Sequence, residues 1–470
     1  MHRPVYLVFA LLILSTALLP AGCGSGSNNT SMTAAAVNVH ISDPATCAAP
    51  QGEFSHVFVT ITDVLIHQSA TAAANDAGWV DLTPNLKSAP MQVDLLGLAT
   101  NQCFLASLGS IGIQPGNYQQ IRVILAANSA SVVGNQCGST ANCVMLTNDP
   151  ASTPHPLLLS SEAQTGIKIP SGQLAGGQFS ISAGETKDLN IDFNACASIV
   201  TQGNGQFRLK PVLHAGEVST TSVSINGTAV DSLTRQPIVG GSTVVALEQR
   251  DSNNVDRVIM ETVAAANGDF VFCPVSAGTY DVVISAIDGS GNAYATTVIT
   301  GVQPGTGLGN VPLTSAALPA SIQGQITSST GAAATSVDIT LSALQPITVN
   351  SATLLVTTPL SQFPSATATL VTAAGTCPSA TDCVNYALSV PASNPSVGTF
   401  VTTGNQTPAP PASGTVNYTM DALAFIPGQA GAPDCNPSHL QTSQASASTP
   451  LTVTAGTAIT AGTLAFTQCQ

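Results

Sequence analysis

Apolar and polar side chains alternate with a period of two along much of this chain, and few architectures satisfy that pattern. Val37-Asn38-Val39-His40-Ile41-Ser42 shows it first, then Val57-Phe58-Val59-Thr60-Ile61-Thr62, Phe179-Ser180-Ile181-Ser182 and Leu189-Asn190-Ile191-Asp192-Phe193-Asn194. Successive residues of a strand point to opposite faces, so each run buries one face and leaves the other to polar surroundings. Turn-forming clusters separate the runs at Pro115-Gly116-Asn117, Ala183-Gly184-Glu185 and Gly203-Asn204-Gly205. Residues 94–108 are the exception: Leu95, Leu98, Leu105 and Leu108 are spaced for one helical face, so a helix is expected there. The expected fold is all-β, a series of tandem β-sandwich domains.

The N-terminus carries Arg3 followed by an apolar run over residues 6–19, broken only by Ser15 and Thr16. Such a run is shorter than the roughly 20 residues a membrane-spanning helix needs and suits the apolar region of a secretory signal. It ends in Leu19-Pro20-Ala21-Gly22-Cys23, which resembles the bacterial lipobox, with Pro20 where that family usually has Leu. The resemblance implies cleavage after residue 22 and lipidation of Cys23. An ordinary signal peptide with an incidental Cys23 is the competing reading. Residues 23–36 open with Gly-Ser-Gly-Ser-Asn-Asn and are read as a lipidated flexible tether. Gly24 replaces the Asp that retains many lipoproteins on an inner membrane, which favours the outer membrane or cell surface.

Charged residues make up only 7% of the chain, against about 25% in an ordinary globular domain. Ten Lys and Arg residues and a net charge of −14 cannot neutralise a nucleic acid backbone, so no nucleic acid partner is expected. Apolar content of 44% is ample for a core. Of eleven cysteines, ten remain once Cys23 is set aside, an even number that suits an oxidising exterior. Cys137 with Cys143, and Cys377 with Cys383, are spaced to close hairpin tips, and Cys435 with Cys469 form a third candidate pair. Cys47, Cys103, Cys196 and Cys273 have no partner assignable from spacing.

Residues 37–218 resemble a bacterial lipoprotein domain classed as domain-of-unknown-function family 4382. The likeness rests on segments in order: VFVTITDVLIH at 57–67, Gly78-Trp79-Val80-Asp81-Leu82, Val93-Asp94-Leu95-Leu96 and PGNYQQIRVIL at 115–125. Gln164-Thr165-Gly166-Ile167-Lys168, residues 179–193 and FRLKPV at 207–212 complete it. That family implies an exported β-rich fold and no established activity. Residues 219–316 resemble a carboxypeptidase regulatory-like (transthyretin-like) β-sandwich, through Ser224-Ile225-Asn226-Gly227-Thr228, Gly268-Asp269-Phe270-Val271-Phe272 and Ala277-Gly278-Thr279-Tyr280. Tyr280, Val282 and Ile284 share the face that would fill its core. Ser321-Ile322-Gln323-Gly324-Gln325 repeats the opening motif 97 residues on, so residues 317–470 are read as a diverged second β-sandwich. Residues 405–413 carry three prolines and are expected to form a long loop.

Catalytic signatures are absent: there is no nucleophile elbow, zinc-protease helix, phosphate loop or dinucleotide fingerprint. The chain is therefore read as non-enzymatic and without cofactor. His40, His67 and His214 could converge on a metal, though strand-end histidines are the commoner arrangement. Asp288-Gly289-Ser290-Gly291-Asn292 carries oxygen ligands in the manner of a calcium loop, or else forms a plain hairpin turn. Arg122, Lys168 and Lys210 are candidates for a patch that takes a carboxylate or anionic sugar; the alternative pairs them with Asp63, Asp81 or Asp192 as exposed salt bridges. Trp79, the sole tryptophan, is read as a packed anchor under the Gly78 turn rather than a stacking platform. The resulting expectation is a membrane-anchored extracytoplasmic binding or adhesion module for a polysaccharide or envelope protein, carbohydrate leading by fold analogy alone. A structural envelope component whose modules serve as spacers is the alternative, and a hydrolase with an unrecognised site the third reading.

Overall fold

The computed structural model describes residues 34–469 except 43–53, 97–105, 160–165, 170–173, 175–177, 194, 202–205, 210–212, 219–223, 252–253, 274, 276, 336, 361–366, 370–376, 403, 426–434 and 443–449. Strands dominate; the described helical elements are the four-residue turns Pro84–Lys87 and Ala195–Ser198. The fold is all-β, with tandem sandwich layers as the alternation requires.

The first unit packs two sheets face to face. A four-stranded sheet runs in the order Leu213–Val218, Thr186–Phe193, Ala35–Ser42, Ala106–Ile113. Ala35–Ser42 is parallel to Thr186–Phe193 and antiparallel to Ala106–Ile113. The facing sheet is built on the long strand Phe54–His67, flanked by Gln120–Leu125 and Cys143–Leu146. Val37, Val39, Ile41, Leu189, Ile191 and Phe193 from one sheet meet Val57, Val59, Ile61, Val64, Ile66, Ile121 and Val123 from the other, all fully buried. Truncating a ring such as Phe193 in this layer should cost about 3–5 kcal/mol.

A bulge explains why the long strand keeps its apolar face inward over fourteen residues. From Val57 its core positions are odd-numbered through Ile61 and even-numbered from Val64. The register with Gln120–Leu125 shifts between Ile61 and Asp63, and the extra residue resets the phase. Asp63 is thereby turned to the outer face.

The helix expected over residues 94–108 is not formed at either described end. Met91–Asp94 and Ala106–Ile113 are strands, with Leu95 and Leu96 in a turn; residues 97–105 lie outside the described set. Leu95 and Leu108 do enter one core, but the first from the turn after Met91–Asp94 and the second from the strand Ala106–Ile113. Pairing of Ala106–Ile113 with Ala35–Ser42 supplies the backbone partners at the C-terminal end instead.

In the second unit Tyr280, Val282 and Ile284 fill the core together with Ile225, Phe270, Phe272, Leu308 and Val311. The repeated Ser-Ile-x-Gly motif has one structural cause in both copies. Gly227 lies opposite Phe270, whose ring would sit 2.8 Å from a Cβ added there. Gly324 lies opposite Tyr386, whose hydroxyl occupies the same space. In each case an aromatic ring lies across the bare backbone of the neighbouring strand.

The second and third units share a sheet. Ser242–Arg250 pairs with Val255–Val263, which pairs in parallel with Ala352–Thr357 through Val255 opposite Leu355 and Asp256 opposite Val356. The sheet then continues into Asp338–Val349 and Val416–Phe425. Thr297–Val302 also pairs with Ser396–Thr399. Residues 404–413 contain no strand, as their prolines require, and Gln406 holds them by donating to the Leu308 carbonyl.

Candidate functional site

Disulfides join Cys137–Cys143, Cys377–Cys383 and Cys435–Cys469 among the described residues. Cys273 is also disulfide-bonded. Cys23, Cys47, Cys103 and Lys210, with the expected signal segment 1–22 and residues 23–33 of the expected tether 23–36, lie outside the described residues, as does the side chain of Cys196.

Several segments of the first-unit likeness, far apart in sequence, meet on the outer face of the sheet built on Phe54–His67. Residues 68–90 leave that strand and fold back over it. Trp79 is half-buried, donates its indole N–H to the Ala73 carbonyl at 2.8 Å, and packs its ring against the Arg122 guanidinium, whose Cζ lies 4.8 Å from the ring centroid. Arg122 is only 4% exposed; it also donates to Gln120 Oε1 and the Ala72 carbonyl. Lys168 sits directly opposite Arg122 in register. The close approach of Gly166 explains its place in the motif, because a Cβ there would stand 3.0 Å from Arg122 Cδ and its φ is +118°. The structure thus brings Arg122 and Lys168 together but buries the Arg122 side chain beneath Trp79. Trp79 is a packed anchor, with its N–H satisfied.

Beside this stack, Lys87 bridges Asp81 at 2.7 Å and Asp63 at 3.1 Å. The ion pairs foreseen for Asp63 and Asp81 are therefore made with Lys87. Burial, then the hydrogen-bonded neighbour Asp81, pushes the Asp63 carboxyl up to about 6. Desolvation also acts on Asp81, but hydrogen bonds from Lys87, Asp63 and Thr83 outweigh it and hold that carboxyl below its ordinary value.

The anticipated histidine trio is not assembled. His67 spends both nitrogens locally: Nδ1 accepts from Ser69 N–H at 2.8 Å, and Nε2 donates to the Ala77 carbonyl at 3.1 Å. His40 faces Asp188 at 3.5 Å. Among the described residues no three of His, Cys, Asp and Glu come together as a metal-holding group. At 288–292, Asp288 Oδ1 accepts from Ser290 and Asn292 backbone N–H groups and Gly291 adopts φ +81°, the geometry of a turn.

The outer face of the four-stranded sheet holds a polar row that alternation alone assigns to solvent. Ser42, Asp192 and His214 lie opposite one another on three neighbouring strands, and Asn190 is two residues from Asp192. Ser42, Asn190 and Asp192 are 0%, 5% and 4% exposed. Asn190 Nδ2 donates to Ser42 Oγ at 2.8 Å, and Ser42 Oγ donates to Asp192 Oδ1 at 3.3 Å. Asn190 Oδ1, Asp192 Oδ2 and His214 Nδ1 are buried with no partner. Desolvation pushes the Asp192 carboxyl up to about 8 and the His214 imidazole down to about 4, so both are neutral at pH 7. Sequence reasoning missed this row; its signal was the run of polar residues Asn190, Asp192 and Ser42 on the non-core face of adjacent strands.

A second acidic group lies where the shared sheet passes from Val255–Val263 to Ala352–Thr357. Glu248 and Asp256 are both 0% exposed. Glu248 Oε2 accepts from Thr357 N–H at 3.1 Å, while Arg250 contacts Asp256 at 3.2 Å and Asp281 at 3.5 Å. Glu248 Oε1 and Asp256 Oδ2 are unpartnered. Burial, then the neighbouring Asp256, pushes Glu248 well up; burial, then Asp281, pushes Asp256 up to about 7. Farther along the same sheet, Arg257 bridges Asp251 at 3.1 Å and Asp421 at 2.5 Å, and Asp421 also takes His439 at 2.5 Å.

Residues 34–211 match the model of a family described as a domain of unknown function (DUF4382). No curated protein matches the chain. Among solved structures, the Bacillus anthracis TIE protein is 8% identical, with 92% of this chain covering 51% of that one at a TM-score of 0.16. This chain therefore spans about half the length of that protein. A streptococcal ancillary pilin is 8% identical, covering 91% of this chain and 98% of that one at 0.17. The shaft pilin SpaA from Lactobacillus rhamnosus GG is 10% identical, covering 61% and 98% at 0.18. Likeness at these scores defines no shared topology.

Proposed function

We propose that this protein is an exported, lipid-anchored, non-enzymatic binding or adhesion module of the cell envelope. The observation that carries the reading is the set of three disulfides, each in a β-rich unit that lacks a helix long and apolar enough to cross a membrane among its described residues. Structural disulfides of this kind persist outside the reducing cytosol. The signal-like run ending at Cys23 supplies the route and the anchor, and the scarcity of charge suits a surface that meets neutral polymers. Polysaccharide or an envelope protein is the ligand class, with loops and sheet edges as the contact surfaces. The test is intact-mass analysis of native protein, which should show an acylated N-terminus at Cys23, followed by binding of the purified protein to glycans and envelope proteins. A soluble product starting elsewhere, or a panel without a binder, refutes the respective half of the proposal.

One observation favours a second reading, that of a spacer. The parallel pairing at Val255–Asp256 and the Arg257–Asp421 bridge join the second and third units through one sheet, which would stiffen a stalk. Deletion that weakens the envelope while leaving attachment intact would select it.

A further inference from the structure

The polar row on the four-stranded sheet has its donors pointing inward and its acceptors pointing out. Asn190 spends an amide N–H on Ser42, and Ser42 spends its only O–H on Asp192. With Asp192 ionised, reversing the Asn190 amide would leave Ser42 Oγ facing an acceptor at both contacts with one proton to give, so in the ion-bound state the chain of donors fixes the orientation. What remains is Asn190 Oδ1, Asp192 Oδ2 and His214 Nδ1, three buried polar atoms on two paired strands without a partner, each offering a lone pair once Asp192 ionises. Each such orphan carries the full desolvation penalty of a buried polar group when nothing compensates it. The strand register places the three side chains on one face of neighbouring strands, and a positive ion held between them would satisfy all three.

We propose that Asp192 Oδ2, Asn190 Oδ1 and His214 Nδ1 form a binding site for a divalent first-row transition cation of the zinc class. An imidazole nitrogen and one carboxylate favour zinc-like ions over magnesium or calcium, which take oxygen ligands throughout. Ser42 then serves as the outer partner that orients the carboxylate, the usual arrangement behind a metal-bound carboxylate. Asp192 releases one proton to solvent as the ion enters, and His214 keeps its N–H on Nε2. Two of the three donors are of the usual ligating types and the amide oxygen is the third, so the set differs from the histidine trio that spacing suggested. The inference does not depend on the envelope-binding reading.

Zn²⁺ titration of the full-length protein, stripped of metal and purified in detergent, tests it by equilibrium dialysis and by thermal melting at pH 8. Wild type should bind one equivalent and melt higher with Zn²⁺. Asp192→Asn, a neutral isostere of the buried acid, and His214→Gln should each weaken binding at least tenfold and abolish the Zn²⁺-dependent rise in Tm. His155→Gln should behave as wild type, and far-UV circular dichroism checks that each variant is folded. The absence of saturable binding overturns the proposal, as does equal binding by wild type, Asp192→Asn and His214→Gln.

Discussion

Glu248→Gln should stabilise the shared sheet above neutral pH, and the structure supplies the magnitude. Glu248 is fully buried and its carboxyl is raised by burial and by Asp256. Asp281 and Glu261 add to that field, and the Arg250 guanidinium is bonded to Asp256 and Asp281. A folded-state pKa above the unfolded value means that the native state binds more protons, so stability falls as pH rises from the unfolded value through the folded one. For Asp256 that window runs from 3.8 to about 7; for Glu248 it begins at 4.5 and extends well above it. One pKa unit corresponds to about 1.4 kcal/mol, and the effective penalty of a buried charge is several kcal/mol. The Gln variant keeps the acceptor for Thr357 N–H and places an N–H where Glu248 Oε1 and Asp256 Oδ2 now lack partners. A gain of about 2 kcal/mol at pH 8 follows, shrinking to near zero at pH 4. In a folding unit of this size that is a rise of about 4–8 °C in the second and third units' transition. Calorimetry at pH 4, 6 and 8 measures it. A variant that melts lower than wild type at pH 8, or that shows the same pH slope, refutes the reasoning.

Other outcomes follow from single contacts. Arg122→Ala removes the cover of Trp79 and the donors to Gln120 and Ala72, and should cost about 2–4 kcal/mol in urea denaturation followed by Trp79 fluorescence. Gly324→Ala drives a methyl into Tyr386 and should cost about 1–3 kcal/mol, whereas Tyr386→Ala in the same background should recover part of the loss; Tm values of the single and double variants decide it. Replacing Cys435 and Cys469 together by Ser opens a separation of 34 residues and should cost about 4 kcal/mol, against about 2 kcal/mol for Cys137 and Cys143 with a separation of 6. Equal losses in calorimetry would contradict that ordering. Lys87→Met removes the bridge from Asp63 and Asp81 and should carry the Asp63 titration above 6, read by carboxyl carbon NMR.

The alternation in the sequence determined the class of fold, because a period of two leaves a strand only one face to bury. It located strands in the first unit. Close cysteine spacing singled out Cys137–Cys143 and Cys377–Cys383 for the same local reason, and the paired Gly227 and Gly324 motifs marked related strands. Leucine spacing at 94–108 misled, since a turn residue and a strand residue that enter one core can mimic a helical face. What tertiary structure alone decided is the fate of the outward faces. Asp192 and Asn190 occupy positions that should meet water, yet they are buried, and Ser42 reaches Asp192 across a separation of 150 residues. Glu248 and Asp256 became an interior pair because a parallel strand of the third unit docked beside them. Periodicity states which side chains share a face; what is laid against that face depends on contacts between residues far apart in the chain, which no local pattern encodes.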